Sequence, residues 1–171
     1  MSSVGFGIDD AARLAEVAHA GQVDKQGRDY FEAHLEPIAT VLEQFGEQAA
    51  MAGYLHDILE DTDYTPELLR AAVVPLEVVD AVVSVTRVPG EAYSDLIERA
   101  AAHPLGRLVK LADNTINVAA NPGLAETDPQ RARVMLEERY LPARARLLRD
   151  DPEAEQVLER MLSAVEAGGS S

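Results

Sequence analysis

The segment 55–62, LHDILEDT, places two kinds of reactive side chain within two helical turns. In a helix, His56 lies one turn before Glu60, and Asp57 one turn before Asp61, so each pair shares a face. Imidazole and carboxylate groups without sulfur suit a divalent cation such as manganese, iron or zinc. Such a cation could lower the pKa of a bound water, and the two later acids could orient or deprotonate that water. The segment therefore predicts part of a metal site with an acidic pair beside it.

A His-Asp doublet alone is weak evidence, because four His and thirteen Asp would produce one in roughly a third of shuffled sequences. Two further ligands are candidates. His34 lies in a predicted helix, where an ordinary amphipathic-helix His is the alternative. Asp113 lies in the largely apolar stretch RLVKLADNTINV and would be costly to bury without a partner. A cation and a local pairing with Lys110 are equally good partners, and spacing alone leaves both open.

The elements that must position these residues are predicted to be helices, because the chain is rich in Ala and Leu and poor in aromatics. The Val-rich stretch 78–85 has strand propensity, but its helical neighbours favour helix. Pro37 predicts an early helical turn or a kink, and Thr65 before Pro66 predicts a helix start. Residues 21–30 predict a polar loop. The predicted helices are 8–20, 31–45, 47–60, one beginning at 65, 75–86, 92–102, 104–119, 129–149 and 152–166.

Length and composition narrow the class of protein. The 171 residues predict one domain over 1–167 and a flexible tail over 168–171. The absence of Cys excludes disulfides, thiolate zinc sites and cysteine nucleophiles, and neither a signal peptide nor a membrane span is predicted. A cytoplasmic location is therefore expected. The net charge of −15 argues against a nucleic-acid polymer as partner and would repel phosphorylated small molecules unless a cation reverses it locally.

Four segments in a fixed order resemble a known family: AHAGQVDKQGRDYFEAH (18–34), AGYLHDILEDTDYTPELL (52–69), VTR (85–87) and VKLADNTIN (109–117). Their order and spacing are similar to those of HD-domain hydrolases of the RelA/SpoT type, including small stand-alone members. The resemblance covers about residues 10–120. It implies an all-α, HD-domain helical bundle, with 121–167 forming additional C-terminal helices.

The resemblance also implies a site and an activity. The site would hold one manganese ion, although other divalent metals are possible. The implied reaction is removal of the 3′-pyrophosphate from guanosine tetra- or pentaphosphate (ppGpp or pppGpp), or from a related phosphorylated nucleotide. Tyr30 could instead be a packing aromatic, and Arg87 a surface residue. The implied metal ligands are His34, His56, Asp57 and Asp113, the catalytic acids are Glu60 and Asp61, and the candidate substrate contacts are Lys25, Tyr30, Arg87 and Asn117.

Departures from the family pattern affect the expected substrate contacts. Asp24 stands where the family usually has Arg, and Asn114 where it has Arg or Lys. Ala119 and Ala120 replace a basic and a hydroxyl residue, and one extra residue precedes His34. The metal and water machinery is thus kept, while the contacts that select the nucleotide are altered.

Two other functions stay open from the sequence. One is an HD-type nucleotidase acting on a different nucleotide. The other is a metal-holding regulatory module without turnover, against which the retained Glu60 and Asp61 argue. Because of the length of the chain, we do not expect a further domain that would synthesise ppGpp. The C-terminal helices (129–166) could cover the core, form the interface of a homo-oligomer or cap the pocket.

Overall fold

The structure, a computed structural model, describes residues 5–169, and its helices confirm the predicted all-α class. In this range the chain forms eleven α-helices and two π-helical turns, and an isolated antiparallel bridge joins Val23 and Asp29. None of the helices within this range is long and apolar enough to cross a membrane. In chain order they are α1 (Ile8–Ala18), the first π turn (Phe31–Leu35), α2 (Glu36–Glu43), α3 (Glu47–Leu55), α4 (Ile58–Asp61), α5 (Pro66–Ala71), α6 (Leu76–Val85), α7 (Tyr93–Ala101), α8 (Pro104–Thr127), α9 (Pro129–Val134), the second π turn (Met135–Tyr140), α10 (Leu141–Leu148) and α11 (Ala154–Gly168).

The hydrophobic core runs the length of the bundle, from Ala11 on α1 to Met161 on α11. Close packing of α2 against α3 depends on Gly53, where an added Cβ would lie 2.7 Å from Leu42 Cδ1 and 3.0 Å from Ala39 Cα. Such separations are shorter than packed carbon atoms allow. A glycine at this position therefore lets α3 approach the helix that follows His34.

The prediction of one continuous helix over 47–60 is wrong. Helix α3 ends at Leu55, a turn follows at His56 and Asp57, and α4 begins at Ile58. The His56 side chain donates from Nδ1 to the Gly53 carbonyl over 2.8 Å, the acceptor that a continuing helix would use for the Asp57 N–H. Local side-chain bonds of this kind compete with helical hydrogen bonds. The acids of α4 therefore do not continue the helical face that carries His56.

Each π-helical turn ends two residues before a proline. Pro37 is the second residue of α2 and Pro142 the second residue of α10. A proline has no N–H and its ring crowds the preceding turn, so the backbone there widens. The helix predicted over 31–45 thus begins with a π turn, and the one predicted over 129–149 is divided by another.

Helix α8 continues eight residues beyond its predicted end at 119, through Pro122 to Thr127. Asn121, Pro122 and Gly123 look like a stop in the sequence, but Leu124 is buried and packing carries the helix past the proline. The helix over the Val-rich stretch 78–85 is confirmed. So is the Thr65 cap, whose side chain accepts from the Leu68 N–H.

The predicted tail at 168–171 lies partly outside the described residues. Gly168 is the last residue of α11, and residues 170–171 are not described.

Candidate metal and substrate site

Three predicted metal ligands come together from three different elements. His34 lies in the first π turn, His56 follows α3 and Asp57 precedes α4. One ligand atom from each lies within 4.8 Å of the others. Asp57 Oδ2 is 3.0 Å from His56 Nε2 and 3.6 Å from His34 Nε2. This spacing is compatible with three ligands around one divalent ion.

The hydrogen bonding of His56 fits a metal ligand. Because Nδ1 donates to the Gly53 carbonyl, Nε2 is the ring nitrogen that faces the cluster, as in most metal-binding histidines. Nε2 is buried and makes no hydrogen bond within the described residues, although it lies 3.0 Å from Asp57 Oδ2. Burial opposes protonation, yet the Asp57 and Asp113 carboxylates raise the pKa of His56 to about 9. The cluster therefore attracts positive charge.

Asp113 approaches the same cluster from α8, with Oδ1 3.4 Å from His34 Nε2. It also pairs with Lys110, whose Nζ donates to Oδ2 over 2.8 Å, and with Asn117, whose Nδ2 donates to Oδ1 over 2.5 Å. Burial opposes ionisation, but the Lys110 ammonium holds the pKa of Asp113 below its ordinary value. The sequence left open whether a cation or Lys110 is the partner of Asp113. Asp113 pairs with Lys110 and also lies beside His34 of the cluster, so the two partners are compatible. We call His34, His56, Asp57 and Asp113 the metal cluster.

Tyr30 orients a member of this cluster. Its hydroxyl donates to Asp57 Oδ2 over 2.5 Å, and its ring lies 5.0 Å from that of His34. Burial and the Asp57 carboxylate raise the pKa of Tyr30, so the hydroxyl keeps its proton. Burial would also raise the pKa of Asp57, but His56 and His34 hold it well below its ordinary value. Tyr30, which the sequence predicted as a substrate contact, therefore also positions the candidate metal ligand Asp57.

The acidic pair lies on α4, exposed and lining the same pocket as the cluster. Glu60 Oε2 accepts the backbone N–H of Arg87 over 3.2 Å. Asp61 Oδ2 accepts from Gln22 Nε2 over 2.8 Å. The turn at His56 and Asp57 separates these acids from the buried ligands and leaves them open to solvent.

A pocket of about 260 Å³ is lined by the acidic pair and by His34, Asp57 and Asp113 of the metal cluster, while His56 is buried beside Asp57. Its rim carries four exposed cations, which we call the cationic wall: Lys25, Arg28, Arg87 and Arg139. Arg139 lies over the ring of Tyr93, with Cζ 4.1 Å from the ring centre. The sequence pointed to Lys25 and Arg87 but not to Arg28, Arg139 or Tyr93. No local pattern marks these three. Arg28 is oriented by Asp24 within the loop, and the packing of α7 and the second π turn brings Tyr93 and Arg139 to the pocket.

Asp24 and Asn114, two of the residues that depart from the family pattern, have structural roles in this chain. Asp24 accepts the N–H groups of Gln26 and Arg28 and pairs with the Arg28 guanidinium, so it shapes the loop and orients a cation of the wall. Asn114 is buried; it donates to the Tyr140 carbonyl and accepts from Arg144 Nε, both over 2.8 Å. It therefore anchors the second π turn and does not line the pocket.

The two alanines differ. The Ala120 carbonyl accepts from Gln26 Nε2 over 3.1 Å at the pocket, whereas Ala119 is exposed and outside the pocket lining. The extended α8 and the second π turn also line the pocket, through Asn121, Leu124 and Tyr140 among others. The C-terminal helices therefore both cover the core, with Leu147 and Met161 buried in it, and form part of the pocket.

The sequence and the fold of this chain are similar to those of known proteins. No family model matches the chain. A GTP pyrophosphokinase of Streptomyces coelicolor is 35% identical over 142 residues, which are 76% of this chain and 16% of the relative. A guanosine-3′,5′-bis(diphosphate) 3′-pyrophosphohydrolase of Haemophilus influenzae is 39% identical over 59 residues, 33% of this chain and 9% of that protein. The chain thus spans about a sixth or less of the length of these curated relatives.

A solved structure described as a metazoan ortholog of SpoT that hydrolyzes ppGpp has the same fold. The TM-score is 0.71 at 23% identity, and the match covers 91% of this chain and 93% of that one. These similarities in sequence and fold confirm the predicted resemblance to HD-domain proteins of the RelA/SpoT type. In this chain, the buried metal cluster and the exposed acidic pair are the features that can carry chemistry.

Proposed function

We propose that this HD domain is a metal-dependent phosphohydrolase that removes the 3′-pyrophosphate from ppGpp or pppGpp. One observation carries the proposal: three members of the metal cluster (His34, Asp57 and Asp113), the acidic pair and the cationic wall line a single pocket, and the fourth member, His56, is buried beside Asp57. A cluster that attracts positive charge beside two exposed acids suits hydrolysis, and a rim of cations suits a polyphosphate substrate. The names of the Haemophilus relative and of the solved metazoan structure agree with this reaction.

His34, His56, Asp57 and Asp113 would hold one divalent ion, and we propose manganese because imidazole and carboxylate ligands without sulfur suit it. Bound there, the ion supplies a Lewis acid that lowers the pKa of water and offsets phosphate charge. Tyr30 fixes Asp57 through its hydroxyl, and Lys110 and Asn117 fix Asp113. These bonds hold the ligands in one arrangement before the ion arrives.

Glu60 and Asp61 carry out the proton transfers of the reaction. Water adds to the phosphorus joined to ribose O3′, the P–O3′ bond breaks and pyrophosphate leaves. One acid takes the proton released by the water, and O3′ receives a proton to become the hydroxyl of GDP or GTP. Both acids are anchored through one oxygen, which leaves the other oxygen of each free for this exchange.

The cationic wall would bind the phosphates. Lys25 lies in the pocket, where partial desolvation lowers its pKa and the Asp113 carboxylate opposes that shift. Arg28 and Arg139 add charge from the loop and the second π turn, and Tyr93 under Arg139 offers an aromatic surface. Asn117 and Arg87 complete the proposed contacts. The local positive charge offsets a chain whose net charge is −15.

The remaining predictions belong to the same proposal. We infer that residues 1–167 act as one domain, which the continuous core from Ala11 to Met161 supports. A cytoplasmic location, a homo-oligomeric state and the absence of a membrane or nucleic-acid partner are expectations from the sequence. The nucleotidase and the non-catalytic module are the competing functions that the following experiment separates.

The test is incubation of the purified chain with ppGpp and manganese. We expect GDP and inorganic pyrophosphate in equal amounts, and no product when the metal is chelated. A parallel incubation with nucleoside monophosphates tests the nucleotidase alternative, for which orthophosphate is the product. Failure to release pyrophosphate from ppGpp contradicts the proposed reaction, and failure with every nucleotide favours the non-catalytic module.

A further inference from the structure

A chain of two hydrogen bonds joins the buried His19 to Asp61 through Gln22. His19 Nδ1 lies 2.7 Å from Gln22 Oε1, and Gln22 Nε2 donates to Asp61 Oδ2 over 2.8 Å. His19 ends α1 and is 3% exposed. The Gln22 N–H also donates to the His19 carbonyl over 2.9 Å. An exposed acid on a four-residue helix is thus connected to the core of the bundle.

The direction of this chain follows from its end group. An ionised Asp61 can only accept hydrogen bonds, so the Gln22 amide nitrogen faces Asp61 and its oxygen faces His19. His19 must then donate from Nδ1. Its Nε2 is buried and makes no hydrogen bond within the described residues, and the opposite tautomer would bury an unpaired N–H, which is costly. Burial of His19 therefore fixes which end of the Gln22 amide points to Asp61.

The loop between Gln22 and Tyr30 also contacts the metal cluster. The Tyr30 N–H donates to the Gln22 carbonyl over 3.0 Å, so the two ends of the loop are joined. Tyr30 then contacts Asp57, while Gln22 contacts Asp61. One closed loop thus sets the position of a candidate metal ligand and of a proton-transfer acid relative to each other.

We propose that Gln22 is a positioning residue that holds Asp61 for the hydrolytic step and is itself oriented by His19. This inference rests on the proposed function. Gln22 occupies Oδ2 of Asp61 and leaves Oδ1 for the proton exchange. An amide side chain does not titrate, so it fixes the acid without competing for the proton. Without it, Asp61 can rotate away on the exposed helix α4.

The primary test is steady-state hydrolysis of ppGpp with manganese by Gln22→Ala. We expect kcat to fall about 10- to 100-fold, as for other residues that orient a reacting group, with KM within about twofold of wild type and metal content unchanged. Gln22→Glu keeps the size but places a second carboxylate against Asp61, so its kcat should fall at least as far. The matched control is Gln44→Ala, because the Gln44 side chain donates to the Val41 and Arg160 carbonyls and does not line the pocket, and its kcat should match wild type.

A double-mutant cycle separates positioning from a general structural role. In an Asp61→Ala background, Gln22→Ala should cost no further activity, because Gln22 acts through that acid. Additive losses, a change confined to KM or loss of bound metal would overturn the inference. So would an unchanged kcat in Gln22→Ala while wild type is active, and that result leaves the proposed function standing. Absence of pyrophosphate release by wild type contradicts the proposed function itself, and with it the role of Gln22.

Discussion

The two sides of the pocket are built in opposite ways. Each side chain of the metal cluster is no more than 19% exposed. Tyr30 bonds Asp57, Lys110 and Asn117 bond Asp113, and His56 donates to the Gly53 carbonyl. The cationic wall consists of long, exposed side chains from a loop, from the segment after α6 and from the second π turn. Buried, multiply bonded groups are preorganised, whereas exposed Lys and Arg side chains lose freedom only when they bind a ligand. The difference suggests that one side fixes the reaction and the other selects the substrate.

The largest expected effect is on the metal cluster. His56→Ala removes the ligand whose free nitrogen is buried among the acids, so bound manganese should be lost and turnover should fall to background. Metal analysis of the purified variant measures the first effect and pyrophosphate release the second. His103→Asn is the control, because position 103 caps α8 outside the pocket and Asn is a good cap. A His56→Ala variant with full metal content would show that the cluster is misplaced.

Replacing an acid of the pair should separate metal binding from catalysis. Glu60→Ala should keep its metal and lower kcat by roughly 100-fold or more, typical of removing a positioned general base. Glu67→Ala, an exposed acid on α5, should behave as wild type. Asp113→Ala, by contrast, should lose metal. Full activity in Glu60→Ala would exclude that residue from proton transfer.

The cationic wall should respond through substrate binding. Arg139→Ala should raise KM for ppGpp about tenfold and change kcat little, since it removes a phosphate contact distant from the bond that breaks. Arg133→Ala is the matched control on the same segment, because Arg133 is exposed and paired with Glu137. If the loss appeared in kcat alone, Arg139 would belong to the catalytic side of the pocket.

Asn114 connects the two sides, since it lies one residue after Asp113 and anchors the second π turn. Asn114→Ala removes the side-chain hydrogen bonds to the buried Tyr140 carbonyl and to Arg144 Nε, a cost of about 2 kcal/mol. The melting temperature should fall by roughly 4–8 °C, and KM should rise a few-fold as the turn loosens. Asn114→Arg, which restores the usual family residue, should be destabilised further, because the position is 4% exposed. A stable Asn114→Arg with tighter substrate binding would contradict this role.

The smallest expected effect comes from the loop of the cationic wall. Partial burial opposes ionisation, but hydrogen bonds from Arg28 and Gln26 lower the pKa of Asp24 below its ordinary value of 3.8. A lowered folded-state pKa stabilises the fold above the unfolded value, and this stability is lost as pH falls through the folded value. Asp24→Asn should therefore melt slightly below wild type at pH 7, and the difference should shrink as the pH falls below the ordinary value of 3.8. Asp80→Asn, at an exposed acid on α6, is the matched control and should melt as wild type does at pH 7.

The sequence predicted which side chains of the candidate site lie close together better than it predicted the elements around them. Family resemblance supplied His34, His56, Asp57 and Asp113, and all four side chains meet, although the helix expected to carry two of them is broken at the doublet. The wall was predicted only in part. Arg28 and Arg139 carry no motif, and their positions depend on Asp24 bonding within a loop and on Asn114 bonding to a turn 26 residues away.

By itself, the sequence determined the helical class, the ligand types and the acids beside them, because these follow from composition, local spacing and a recognisable order of motifs. Tertiary structure alone decided three things: that α8 runs on through Pro122, that the second π turn lines the pocket, and that Gln22 joins His19 to Asp61. Each depends on contacts between residues far apart in the chain, where burial outweighs local propensity. For that reason the candidate chemistry of the site can be predicted from LHDILEDT, whereas the surface proposed to select the substrate can be recognised only in the folded chain.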